Sequence, residues 1–222
     1  MNVLQIGSIA ILYKWVFLGI AIFIGYISIR VWLQSSTEKK NIKPIMDLLF
    51  NTIFLSFLVW KGSLLLLEPS IILKSPFSIL YFTGGSKGLI LAIIFSFAYF
   101  FLKAKKLEIS NEFIIKLMFI FSLVVLTAYH GLTVFFIEED VLYHSLISLF
   151  MITVLVIGIF KKDIYSLKWI YMVTIVFSFV HFILIMILIK SQAVFLFSVE
   201  QWFLIGIILV SLFHRNKLRS LN

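Results

Sequence analysis

Apolar runs long enough to cross a lipid bilayer follow one another along the whole chain. A membrane-spanning helix needs about 20 apolar residues, and such runs are predicted at 11–33, 46–67, 89–102, 113–128, 141–160, 167–189 and 199–213. The chain is 62% hydrophobic and 13% charged, whereas soluble domains are about half apolar and about a quarter charged. The sequence therefore predicts an all-α polytopic membrane bundle with about seven transmembrane helices, built as a single integral membrane domain over residues 1–222.

The distribution of basic residues predicts the orientation, because cytoplasmic loops carry an excess of Lys and Arg. Alternate connections are basic, at Arg30/Lys39/Lys40/Lys43, Lys103/Lys105/Lys106, Lys161/Lys162/Lys168 and Arg215/Lys217/Arg219. The connections between them carry Glu68/Lys74, Glu138/Glu139/Asp140 and Lys190/Glu200. This alternation predicts the N-terminus outside and the C-terminus in the cytoplasm. The excess of Lys over Arg, with abundant Ile and Phe, is typical of an AT-rich bacterial genome, so we expect a multi-pass protein of a bacterial plasma membrane.

Composition also excludes several classes of function. The chain contains no cysteine, which excludes disulfides, thiolate catalysis and cysteine metal sites. The net charge is +9, but the charges lie in the loops, where they serve as topology signals and lipid-headgroup contacts. We therefore expect no nucleic-acid partner and no cofactor.

Glycines, small hydroxyls and a lysine come together in one segment, Ile79-Leu-Tyr-Phe-Thr-Gly-Gly-Ser-Lys-Gly-Leu-Ile90, directly before an apolar run. The pattern predicts a tight turn that leads into the N-terminus of a membrane helix. Free N–H groups at a helix N-terminus attract anions, and Lys87 adds a full charge, so the segment is suited to a lipid phosphate. The alternative is a glycine-rich turn at the membrane surface with Thr83 or Ser86 as the N-cap.

Lys61 lies well inside the second predicted span. A lysine near the centre of a bilayer costs a few kcal/mol, so such residues usually face a cavity, a partner or a headgroup. Lys14 and Lys87 lie on the same predicted outer side, and the three lysines are expected to converge on one phosphate. The alternative is that Lys61 extends to the interface with its charge in water.

The histidines suggest two further sites. His181 lies near the middle of the sixth span, where it is either a hydrogen-bonded core residue or part of a proton relay. His130 and His144 lie with Glu138, Glu139 and Asp140 at the predicted outer ends of spans four and five. These residues are either ligands of a metal such as zinc or part of a solvated acidic loop, and His130 is placed at the end of its span.

Three segments of the first half resemble prolipoprotein diacylglyceryl transferase. Gln5-Ile-Gly-Ser-Ile-Ala-Ile-Leu-Tyr13 with Lys14-Trp15 is similar to the family's opening Ile-Gly-Pro and Arg-Trp-Tyr-Gly. The segment 47–62 resembles its second span, which ends in a Gly-Arg pattern. Ser75-Pro76-Phe77 with Tyr81-Phe-Thr-Gly-Gly-Ser-Lys-Gly88 is similar to its motif Ser-Phe-His-Gly-Gly. The resemblance covers residues 5–107 and implies a seven-span scaffold with the N-terminus outside.

The resemblance also implies which residues hold a lipid, and the chain departs from the family at defined positions. Lys61 stands where the family has an arginine that helps to hold the phosphatidylglycerol headgroup, and Lys14 stands at its early arginine. Thr83 replaces the motif histidine, and Val16 replaces a tyrosine. The later Gly-Arg-x-Gly-Asn signature is absent, and the four spans in 108–222 have no counterpart. The scaffold and the headgroup site are therefore implied more strongly than the reaction.

Together these observations predict a membrane protein that binds an anionic phospholipid, similar to phosphatidylglycerol, at the outer leaflet. The predicted site consists of Lys14, Lys61, Gly84, Gly85, Ser86, Lys87 and Gly88. Because the family's histidine is missing, a substrate thiol has no obvious base there. If the protein is an enzyme, we expect a phospholipid-dependent transferase with His130 or His144 as the base. These two histidines are also the candidates for a metal site, although none is expected.

Two other functions fit the same sequence. One is a non-catalytic accessory subunit of a membrane secretion or maturation complex, which would have a membrane protein as its partner. The other is a small transporter, in which Lys61 and His181 would line the path of the substrate.

Overall fold

Long α-helices account for nearly all of the chain that the structure describes. The structure is a computed structural model, and it describes residues 3–6, 9–35, 42–74, 84–137, 139–160, 166–189 and 196–220. The elements are β1 (Val3–Ile6), β2 (Ile9–Leu12), α1 (Tyr13–Ser35), α2 (Ile42–Leu67), α3 (Pro69–Lys74), α4 (Gly85–Lys106), α5 (Asn111–Phe136), α6 (Val141–Phe160), α7 (Leu167–Leu188) and α8 (Val199–Ser220). The strands β1 and β2 pair antiparallel, with Gln5 opposite Ala10, and this hairpin was not predicted.

Each of the seven predicted spans forms one long helix. Among the described residues, six of them, α1, α2 and α4 to α7, are long and apolar enough to cross a membrane. The seventh, α8, extends over 22 residues but is not among these six. Polar residues occupy both of its ends, with Glu200 and Gln201 in the first turn and His214 to Asn216 near the last. The predicted orientation stays a prediction.

Helix ends follow the signals in the sequence. Glu68-Pro69 ends α2, because proline cannot continue the hydrogen-bond ladder, and α3 begins at Pro69. Lys103, Lys105 and Lys106 occupy the last turn of α4, where cations are favoured by the helix dipole. Beyond them, Glu108 has a φ of 54°. At α8, Ser198 and Gln201 exchange hydrogen bonds, Ser198 N to Gln201 Oε1 at 2.8 Å and Gln201 N to Ser198 Oγ at 3.2 Å, which is a capping box.

The helices form two compact units. Unit 1 contains Met1–Tyr13 and Tyr26–Ile114, and thus the hairpin, the later part of α1, and helices α2, α3 and α4. Unit 2 contains Lys14–Gly25 and Ile115–Asn222, and thus the first part of α1 and helices α5 to α8. The prediction of a single membrane domain stays untested.

In unit 1, α2 and α4 pack against each other through small residues. The buried positions of α4 recur every four residues, at Gly88, Ala92, Ser96, Phe100 and Ala104, so they form one face of the helix. Small residues allow two membrane helices to approach closely. A Cβ added at Gly84 or Gly88 would overlap the hydroxyl of Ser63 in α2, so the glycines permit this contact.

In unit 2, an apolar core joins α5, α6, α7 and α8. It contains buried side chains from all four helices, among them Leu123, Ile147, Val173 and Leu204. The first part of α1 packs on α5, since a Cβ added at Gly25 would lie 2.6 Å from Cγ2 of Val125. Unit 2 therefore has its own core.

Burial is inverted relative to a soluble protein. Large apolar side chains such as Phe54 (53% exposed), Phe95 (57%) and Leu149 (62%) face outward, whereas His130, Ser178 and Gln201 are buried. Hydrocarbon solvates apolar side chains, and polar groups within membrane helices face the interior of the bundle. Together with the six long apolar helices, this pattern confirms the predicted all-α, multi-pass integral membrane protein.

We expect Gly88→Ala to destabilise unit 1, because the new Cβ would overlap Ser63 Oγ and overpacking costs about 1–3 kcal/mol. The melting temperature of the protein in detergent, followed by circular dichroism, should fall. Ser63→Ala combined with Gly88→Ala should recover part of the loss. Gly62→Ala is the matched control, since a Cβ has open space there and should be neutral or stabilising. Equal melting temperatures for Gly88→Ala and Gly62→Ala would show that the close contact is absent.

Candidate functional site

The first candidate site is formed where α2 ends and α4 begins, and we call Trp60, Lys61 and Gly84–Gly88 the lysine–glycine site. Two hydrogen bonds join the helices here. The indole Nε1 of Trp60 donates to the carbonyl of Gly85 at 3.0 Å, and the peptide N–H of Gly84 donates to the carbonyl of Trp60 at 3.2 Å. Lys61, the residue after Trp60, is half-buried. The structure thus brings Lys61 and the glycine segment into the same part of unit 1.

Backbone geometry sets the first turn of α4. Gly84 is the N-cap and no side chain caps it by a hydrogen bond. Gly85 has a φ of 58°, a conformation that favours glycine. The segment therefore leads into a membrane helix as predicted, but the predicted N-cap Ser86 is wrong. Ser86 is the second residue of the helix, because the helix starts at Gly85 and its N-cap, Gly84, lies two residues before Ser86 and bonds to Trp60. Thr83 lies outside the described residues.

The polar side chains of this turn point away from the protein core. Ser86 and Lys87 are both exposed, whereas Gly88 is buried against Ser63. Gly84 and Gly88 thus serve packing, while the side chains of Ser86 and Lys87 lie on the accessible side of the turn. An anion at this place would meet backbone donors and the positive end of the helix dipole.

Lys14 belongs to the other unit. It is exposed, and its Nζ lies 5.0 Å from the centroid of the Trp15 ring, a cation–π distance. The structure assigns Lys14 to unit 2 and Lys61 with Lys87 to unit 1. Convergence of all three lysines on one phosphate stays a prediction.

The second candidate site lies in unit 2, and we call His130, Tyr143, His144 and His181 the histidine cluster. Nδ1 of His130 in α5 lies 2.7 Å from Nδ1 of His144 in α6. His130 is only 4% exposed and lies inside α5, which continues to Phe136. The predicted end of this span near Ala128 is therefore wrong, and so is the placement of His130 in a solvated loop. Helix α5 extends further because apolar residues resume after His130, up to Phe136.

Tyr143 connects this pair of helices to α7. Its hydroxyl lies 2.5 Å from Nε2 of His181, so His181 is hydrogen-bonded within unit 2. The rings of His130 and Tyr143 are also close, with centroids 5.9 Å apart. Sequence reasoning singled out the histidines but missed Tyr143. The available signal was its place beside His144, at the start of an apolar helix where a hydroxyl needs a partner.

The spacing of the histidine pair is that of a hydrogen bond, and the two histidines as metal ligands stay a prediction. Two nitrogens bound to one tetrahedral zinc lie about 3.3 Å apart, given Zn–N bonds of about 2.0–2.1 Å, and the observed 2.7 Å is shorter. Within the described ranges, no group of three or more His, Asp or Glu residues is placed to hold a metal ion. Glu139 and Asp140 are exposed, and Glu138 lies outside the described residues.

Comparison with known proteins gives no relative: no protein-family model, no curated protein and no solved structure matches this chain. The resemblance to prolipoprotein diacylglyceryl transferase therefore stays a hypothesis that depends on the motifs within residues 5–107. A function for this protein has to be inferred from the geometry of the lysine–glycine site and of the histidine cluster.

We expect His130 and His144 to be opposite tautomers. At 2.7 Å between their Nδ1 atoms, one nitrogen must donate a proton and the other must accept it. In the ¹⁵N spectrum of protein labelled at histidine, one residue should carry its proton on Nδ1 and the other on Nε2, with His144→Gln used for assignment. His214 lies near the end of α8, outside the cluster, and serves as an internal control. Two identical tautomers at 130 and 144 would contradict the pairing.

Proposed function

We propose that this multi-pass protein of a bacterial plasma membrane binds the headgroup of an anionic phospholipid at the lysine–glycine site. The observation that carries the proposal is the double hydrogen bond between Trp60 and Gly84-Gly85. Lys61 directly follows Trp60 in α2, so this junction brings the lysine and the glycine segment into the same part of unit 1. A phosphodiester would then meet a lysine from α2 and backbone donors from α4.

Electrostatics favour an anion at this place. The N-terminus of α4 carries a partial positive charge of about half an elementary charge, and its first turn has no side-chain cap. Lys87 adds a full charge on the exposed side of that turn. Near a membrane surface, each lysine contributes about 1 kcal/mol to attraction of anionic lipid. Lys61 and Lys87 together therefore favour an anionic headgroup over a zwitterionic one.

The surroundings of the site suit the level of the lipid headgroups. Trp60 is half-buried, and tryptophan is enriched at the membrane–water interface. Leu66 and Leu73, at 80% and 84% exposed, flank the break between α2 and α3. Such apolar side chains require lipid around them. Lys61 and the exposed Leu66 belong to the same helix, α2, which suits a site where a headgroup and its acyl chains meet.

Binding rather than transfer is the function that this site supports. A diacylglyceryl transfer to a thiol requires a base near the lipid. The four histidines of the chain are at 130, 144, 181 and 214, and all lie within unit 2. Unit 1 therefore supplies no imidazole to the lysine–glycine site, and Thr83 stands where the resembling family has its histidine.

We expect Lys61→Gln to weaken binding of phosphatidylglycerol about fivefold, which corresponds to the loss of about 1 kcal/mol. Native mass spectrometry of the delipidated protein, titrated with phosphatidylglycerol and with phosphatidylcholine, measures this. Lys61→Arg should retain the affinity, since it keeps the charge. Lys105→Gln is the matched control, because Lys105 is an exposed lysine at the opposite end of α4. Equal affinities for Lys61→Gln and Lys105→Gln would refute the site.

We also expect no lipid transfer. Purified protein incubated with phosphatidylglycerol and a lipobox peptide should leave the mass of the peptide unchanged, beside an active prolipoprotein diacylglyceryl transferase as the positive control. The physical reason is that threonine stands at position 83, where the resembling family has the histidine of its motif. A diacylglyceryl adduct on the peptide would show that another group acts as the base, and the function would then be catalytic.

A further inference from the structure

Polar side chains follow one face of α7 over most of its length. Tyr171, Thr174, Ser178 and His181 stand at positions i, i+3, i+7 and i+10, a spacing that places them on one stripe of a helix. Ser178 is only 1% exposed, and the other three are half-buried. Polar residues inside a membrane helix carry a free-energy cost and commonly mark the path of an ion or a proton.

This stripe continues into titratable groups at both ends. At one end, His181 Nε2 is hydrogen-bonded to the hydroxyl of Tyr143, whose ring neighbours the His130–His144 pair. At the other end, the ring of Tyr171 stacks on His214 of α8, with centroids 5.8 Å apart, and His214 is exposed. All of these residues belong to unit 2.

Two polar atoms in the half of the stripe nearer the histidine cluster distinguish it from ordinary helix packing. Ser178 Oγ and His181 Nδ1 are buried, and neither has a hydrogen-bond partner among the described residues. Other hydroxyls of unit 2 bond back to their own helix, as Thr127 does to Leu123, Thr153 to Leu149 and, within the stripe, Thr174 to Ile170. Buried polar groups are nearly always satisfied by protein or by ordered water. Ser178 and His181 are one helical turn apart, so one water molecule can bond to both.

We propose that unit 2 conducts protons along this stripe, between the histidine cluster and His214. Imidazole and hydroxyl groups can each accept a proton on one lone pair and release another proton from the same group, so the proton moves without any oxidation or reduction. Neighbouring members of the stripe are about 5–6 Å apart at Cβ, a gap that a water molecule bridges. Asp140, whose carbonyl accepts the N–H of His144 at 3.1 Å, places a carboxylate one turn before the pair.

The direct test measures proton flux through the full-length protein in liposomes. Vesicles loaded with potassium and a pH-sensitive dye are diluted into potassium-free buffer, and valinomycin creates a membrane potential, negative inside. We expect wild-type vesicles to acidify several-fold faster than protein-free vesicles. Ser178→Ala should slow this rate, and His181→Gln, which retains a hydrogen-bonding side chain but cannot carry a proton, should reduce it to that of protein-free vesicles.

The matched control is Ser96→Ala in α4. Ser96 Oγ is also buried without a partner among the described residues, but it lies in unit 1, so its loss should leave the flux unchanged. Size-exclusion profiles and melting temperatures confirm that each variant is folded. Wild-type flux equal to that of protein-free vesicles would overturn the proposal. Flux through folded Ser178→Ala and His181→Gln equal to that of Ser96→Ala would overturn it as well.

Discussion

The absence of water from the hydrocarbon layer is the constraint on which this structure depends. An unpaired peptide group costs several kcal/mol there, so the apolar runs form helices that satisfy their own backbone. Side chains obey the same rule: the hydroxyls of Thr52, Thr127 and Thr153 each bond to a carbonyl four residues earlier in their own helix. Other polar groups bond across helices, as Trp60 does to Gly85 and Tyr143 does to His181, and these contacts lie in the two candidate sites.

The glycine segment packs α4 against α2, and it is also part of the proposed headgroup site. Gly84 and Gly88 are required because Ser63 occupies the space that a Cβ would fill. The same close approach allows Trp60, the residue before Lys61, to bond both Gly84 and Gly85. The junction between α2 and α4 thus depends on neutral hydrogen bonds and on the absence of side chains at Gly84 and Gly88, and a bulky residue at position 88 would disturb it.

The two units differ in chemistry. Unit 1 contains the lysine–glycine site and has no histidine, whereas unit 2 contains all four histidines of the chain. In unit 2 the imidazoles of the histidine cluster bond to each other or to Tyr143, so their partners come from the next helix along the chain. Headgroup binding and proton conduction would therefore be separate properties, each with its own residues. A substitution in unit 1 would then alter lipid binding, and a substitution in unit 2 would alter proton flux.

The sequence by itself determined the membrane class, the long helices and several of their ends. This is because the length of an apolar run decides locally whether a segment can satisfy its backbone in a bilayer, and Glu68-Pro69 ends α2 for an equally local reason. It did not determine the β1–β2 hairpin or the continuation of α5 past Ala128, where Tyr129-His130-Gly131 suggested a helix end. Only the tertiary structure decided that Tyr143 meets His181, 38 residues away, and that Ser63 meets Gly88. Such contacts depend on how the helices rotate and cross, and the pattern within one helix does not specify the neighbour it faces.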